Sequence, residues 1–90
     1  MKKLELRYVA AVYPITCKLS EIFETDAGTL RELIQELDDI YGGFAEMFLD
    51  SQTGKLTLNT MIYYGAKGSV PKGVLDADQP ITDQATITFW

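Results

Sequence analysis

One stretch of this 90-residue chain, residues 29–41, repeats its apolar residues at helical spacing, and most of what surrounds it alternates. Leu30, Leu33, Ile34, Leu37, Ile40 and Tyr41 follow the i, i+3, i+4, i+7 pattern that gathers one apolar stripe on a helix. Thr29 and Glu32 stand at the spacing of a capping box, which satisfies two backbone amides left open where a helix starts. Gly42 and Gly43 supply the positive φ that ends one. A lone helix of this length cannot build a bundle, so its stripe must be covered by a sheet.

The flanking segments supply that sheet. In residues 3–13, Leu4, Leu6, Tyr8, Ala10 and Val12 fall on one side and Lys3, Glu5, Arg7 and Val9 on the other, the period of a half-buried strand. Pro14 cannot donate to a ladder and is expected to end that strand in a tight turn. Residues 15–24 read as the second arm of a hairpin, with Ile15, Cys17, Leu19 and Phe23 inward and a bulge or irregularity where Glu21 and Ile22 break the phase.

After the helix, residues 44–49 read as a short helical turn and residues 50–54 as a turn cluster. Leu56, Leu58, Ile62 and Tyr64 alternate as a third strand, irregular near Asn59 and Thr60. Gly65, Gly68, Pro71 and Gly73 make residues 65–73 a loop, residues 74–81 are a connection, and Ala85, Ile87 and Phe89 mark a last strand.

The order is hairpin, helix, turn, strand, loop, strand. The length suits one small domain, residues 1–90. The expected class is α+β: a β-grasp, ubiquitin-like arrangement with a mixed sheet of four to five strands and one main helix on one face. A ferredoxin-like sandwich would want a second full helix, and the pattern offers none.

Composition removes several functions. The chain has no histidine, which excludes a Ser-His-Asp triad, a Cys-His pair and histidine metal sites. Its single cysteine excludes an intrachain disulfide and a Cys-x-x-Cys site. A net charge of −5 repels phosphate backbones, so neither nucleic acid nor an anionic membrane is an expected partner. Met1-Lys2-Lys3 is followed by charged, alternating residues rather than an apolar signal core. No run approaches the roughly 18 apolar residues of a membrane span. With a lone cysteine, the expected location is the reducing cytoplasm.

The stretch from Gly28 to Leu37, followed by Tyr41-Gly42-Gly43-Phe44, resembles the helix and following turn of the MoaD/ThiS ubiquitin-like sulfur carriers. Met61-Ile62-Tyr63-Tyr64-Gly65 stands where that family has a strand ending in Asn-Gly. Leu75-Asp76 and then residues 80–89 resemble its closing strand motif. The resemblance spans nearly the whole chain.

In that family a flexible tail ending in Gly-Gly is adenylated by an activating enzyme and converted to a thiocarboxylate, whose sulfur goes to molybdopterin or thiazole. Here the sequence ends at Thr88-Phe89-Trp90, Tyr64 replaces the Asn, and Asp83-Gln84-Ala85 replaces the Asp-Gly-Asp turn. The resemblance implies the fold and a protein partner, either an activating-enzyme-like protein or a cofactor-biosynthesis subunit. It does not carry over the sulfur-bearing residue, a bound cofactor or an enzymatic activity of the chain itself. A β-grasp adaptor unrelated to sulfur transfer, or a carrier whose Gly-Gly tail lies outside these 90 residues, are the alternatives.

Several residues have competing readings. Gly42-Gly43 is internal and reads as a helix stop rather than a reactive tail. Cys17 shares the apolar parity and reads as a packing residue, with a persulfide carrier as the alternative. Glu21, Glu24, Asp26, Glu32, Glu36, Asp38 and Asp39 read as a solvated acidic face rather than a paired acid and base. Lys67 and Lys72 lack the spacing of a phosphate-binding loop. Tyr63, Tyr64, Phe89 and Trp90 are the candidate partner-binding residues. Alternation places half of them on the sheet face opposite the helix, where exposed aromatics form a protein-binding patch.

Overall fold

The computed structural model describes residues 1–57 and 61–90. Helix α2, Leu30–Tyr41, forms where the period predicts it, with Leu30, Leu33, Ile34 and Leu37 fully buried. Burying side chains of this size contributes about 1.5–3 kcal/mol each. Ile40 lies outside the buried stripe, 56% exposed.

The Thr29 side chain accepts from the Glu32 amide at 3.3 Å. The Glu32 carboxylate reaches one residue further than a reciprocal box requires and accepts from the Gly28 amide at 3.2 Å. Amides of the first turn are satisfied from the 74–81 connection: Leu30 donates to the Gln79 carbonyl and Arg31 to that of Ala77. Gly42 and Gly43, at φ +79° and +83°, end the helix and lead into α3, Phe44–Phe48.

Strand β1 is Lys2–Tyr8, β2 is Ser20–Thr25, β3 is Ile62–Gly65, β4 is Lys72–Gly73 and β5 is Thr86–Phe89. They form one sheet in the order β2-β1-β5-β3-β4, with β1 and β5 parallel and the other neighbours antiparallel. Among the described residues the sheet is therefore mixed and five-stranded, with β1 and β5 its one parallel pair. Leu4, Leu6, Tyr8, Ile62, Ile87 and Phe89 face the stripe of α2. Phe44 and Phe48 close the core, their rings 5.4 and 5.2 Å from that of Phe89.

Several expectations are corrected. Alternation predicts a first strand through residue 13, but β1 stops at Tyr8. A 3₁₀ turn, Ala10–Val12, and a one-turn helix α1, Tyr13–Thr16, follow it. Pro14 lies in the first turn of α1, where its missing N–H is not needed. The hairpin connection is thus helical rather than tight. Cys17, at φ +58°, ends α1 with its side chain exposed, and Leu19 is 72% exposed, so neither packs inward.

No bulge interrupts β2: its register against β1 runs unbroken from Lys2↔Thr25 to Arg7↔Ser20. The apparent phase break arises because charged Glu21 takes the helix side and apolar Ile22 the open side. The predicted 65–73 loop contains β4, which folds back on Tyr63 and Tyr64 as a short hairpin. Of the predicted third strand, Leu58, Asn59 and Thr60 lie outside the described residues.

Candidate protein-contact surface

The face of the sheet away from α2 carries the other parity of every strand. Its β1–β2 end holds Lys3, Glu5, Arg7, Ser20, Ile22 and Glu24, and its charges are paired within the face. Arg7 Nε lies 2.6 Å from Glu5 Oε2, and Lys3 Nζ lies 3.9 Å from Glu24. A shallow concavity of about 600 Å³ at this end is lined by Val9, Leu19, Ser20 and Ile22 among others.

The β5–β3 end differs in chemistry. Tyr63 stands opposite Thr88 in the antiparallel register, and the Trp90 amide extends that ladder by donating to the Met61 carbonyl at 2.9 Å. The Tyr63 and Trp90 rings meet edge to face, with centroids 6.4 Å apart and planes inclined at 73° rather than stacked. Met61 is 47% exposed and Trp90 46%. Across β4, Gly73 stands opposite Tyr63, and a Cβ there would lie 3.7 Å from Met61 Cε and 4.0 Å from Tyr63 Cε1. The glycine therefore leaves Met61 and Tyr63 room to cover that end of the sheet. Met61, Tyr63 and Trp90 form an apolar group with accessible rings, the composition enriched at the centres of protein interfaces.

Of the four aromatics that the sequence nominates, the structure brings Tyr63 and Trp90 together. Phe89 is 0% exposed and belongs to the core, because its parity on β5 points it at α2. It is removed from the contact surface. Tyr64 also takes the helix side, opposite Ile87. Its hydroxyl lies 3.0 Å from Thr82 Oγ1 and accepts from the Thr82 amide at 3.0 Å, which ties β3 to the segment before β5. Met61 is the residue that reading by aromatic type passes over; its shared parity with Tyr63 is the signal that finds it.

A second polar cluster lies under the other end of the sheet. Glu21 Oε2 accepts from Tyr8 Oη at 2.5 Å and from Tyr41 Oη at 2.6 Å. Lys18 Nζ is 3.4 Å from Glu21 Oε1 and 3.1 Å from Tyr41 Oη. Burial pushes the Glu21 carboxyl up, but the hydrogen bonds from Tyr41 and Tyr8 and the Lys18 charge outweigh it and hold the group below the usual carboxylate range. Burial, and then the bond to Glu21, pushes the Tyr8 hydroxyl up, so it stays a donor. The cluster fastens the end of α2 to β2.

The acidic residues do not converge on a site. Among the described residues no three histidine, cysteine or carboxylate groups gather where they could hold a metal ion. Among those residues, too, no helix is long and apolar enough to cross a membrane.

The strand order, the single long helix packed on one face and the parallel central pair define a ubiquitin-like β-grasp protein. Solved structures agree. The HVO 2177 protein of Haloferax volcanii superposes with a TM-score of 0.77 at 18% identity, covering 98% of this chain and 80% of that one. The small modifier SAMP1 from Haloferax volcanii gives 0.73 at 8% identity over 98% and 92%. A putative molybdopterin converting factor, subunit 1, from Pyrococcus furiosus gives 0.69 at 17% identity over 99% and 95%. The chain thus has the fold shared by small archaeal modifiers and MoaD-type proteins. No family model matches the chain, and no curated protein matches it in sequence.

Proposed function

We propose that this chain is a MoaD/ThiS-like β-grasp protein that acts by docking onto a protein partner rather than by catalysis, with Met61, Tyr63 and Trp90 at the centre of the contact. The partner is of the activating-enzyme type or a subunit of molybdopterin, tungstopterin or thiamine biosynthesis. The observation that carries this reading is the edge-to-face pair of Tyr63 and Trp90 on the sheet face opposite α2, which no helix among the described residues covers. The fold shared with a molybdopterin converting factor subunit supports the pathway assignment. The contact surface is built from β3, β5 and the residues beside them, so docking through it does not require a thiocarboxylate.

Calorimetric titration of the chain into the activating enzyme of its own organism, and separately into a molybdopterin synthase large subunit from that organism, tests the reading. Tyr63→Ala and Trp90→Ala are expected to weaken binding to one of them about tenfold or more, as interface anchors do. Binding that both variants leave unchanged contradicts the proposed surface, and absence of binding to either protein contradicts the proposed partners.

A further inference from the structure

Strand β2 is one edge of the sheet, and its ladder fixes which backbone groups point away from β1. Tyr8 donates to the Leu19 carbonyl, while Glu5 and Val9 donate to Ala85 and Phe89 on the opposite side of β1. Hydrogen-bonded pairs alternate along an antiparallel ladder. Leu19, Glu21, Phe23 and Thr25 therefore bond to β1, and Ser20, Ile22 and Glu24 turn their N–H and C=O groups outward. The same three residues carry exposed side chains on the open face, and Ile22 is 65% exposed. An edge with a bare, apolar centre and no proline is a template for another strand.

We propose that β2 pairs antiparallel with β2 of a second copy about a two-fold axis at Ile22, merging two five-stranded sheets. The residue pattern is self-complementary in this register. Ile22 meets the partner's Ile22, and Ser20 meets the partner's Glu24. All three outward-facing residues then fall in hydrogen-bonded pairs, giving about six backbone bonds. On the helix side Glu21 meets the partner's Phe23.

Competing registers that keep Ile22 and Glu24 opposite strand residues fail on charge or on parity. An axis at Glu24 sets like charges directly opposite. An axis at Glu21 or Phe23 asks for backbone groups already bonded to β1. An axis between Ile22 and Phe23 pairs outward residues with inward ones and sets Glu21 against the partner's Glu24. The symmetry makes the contact isologous and closed, so it yields dimers and not fibres. The aromatic end of the open face lies across β1 and β5 from this edge and stays free.

A single strand pair is small for an interface, so a dissociation constant on the order of 100 µM is expected. Two copies each carrying −5 repel, and screening relieves that repulsion, so added salt should tighten the dimer. Sedimentation equilibrium of the full chain from about 10 µM to 1 mM, with hydrogen exchange at both extremes, tests the proposal. The expected result is a concentration-dependent shift from 10.1 kDa toward twice that mass, with slowed exchange at Ser20, Ile22 and Glu24.

Ile22→Lys places like charges at the axis and should weaken the dimer at least about tenfold. Ile22→Pro removes one outward donor while sparing the β1 ladder and should do the same. If the proline variant fails to fold, the lysine variant decides. A chain that stays monomeric at 1 mM overturns the proposal, as does a dimer unmoved by Ile22→Lys or one abolished by Trp90→Ala.

Discussion

Glu21 of β2 accepts the hydroxyl of Tyr8 at 2.5 Å from the neighbouring strand, beneath the sheet and against the end of α2. A carboxylate on the inner side of an edge strand is costly unless its oxygens are satisfied. Here two tyrosine hydroxyls and an ammonium satisfy them. Because the folded-state pKa is lowered, the contribution to stability is full above the unfolded value of about 4.3 and is lost as pH falls through the folded value. Glu21→Gln should therefore cost about 1–3 kcal/mol at pH 7. It should also flatten the fall in stability on acidification below about pH 4.3. Urea unfolding at several pH values measures both.

Cys17 ends the one-turn helix α1 with its side chain exposed, its Sγ 3.7 Å from the Pro14 carbonyl. A thiol reagent should label it in the native protein at a rate close to that in denaturant. Labelling that requires denaturant would contradict the helical connection between β1 and β2.

Two glycines outside the left-handed region differ in the space around them. A Cβ on Gly65 would lie 3.1 Å from Pro71 Cα and 3.2 Å from its nitrogen, backbone atoms that cannot step aside. Gly65→Ala should cost about 1–3 kcal/mol by overpacking the β3–β4 turn. Gly28 has nothing within 4 Å of its Cβ position. Thermal unfolding should show Gly28→Ala within about 0.5 kcal/mol of the parent chain.

These cases show where the sequence is and is not legible. Helix α2 is legible because its period, its cap and its glycine stop agree in one short segment. Strand β5 is legible because Ile87 and Phe89 alternate with threonines. The segment 10–16 is not, since Ala10 and Val12 fit a strand parity and a helical turn equally well, and Pro14 starts a helix as readily as it ends a strand.

The inward placement of Glu21 is invisible locally because the groups that satisfy it lie 13 and 20 residues away. For the contact surface, residue type alone nominates four aromatics. Register then sorts Tyr63 and Trp90 from Tyr64 and Phe89, because a shift of one residue changes the face.

The most direct test is chemical-shift mapping on the isotopically labelled chain as the activating enzyme, or the synthase large subunit, is added. The account predicts that the largest changes fall on Met61, Tyr63, Thr88 and Trp90, with the outer face of α2 unmoved. Changes confined to α2 and α3, with the Tyr63 and Trp90 signals in place, would contradict it.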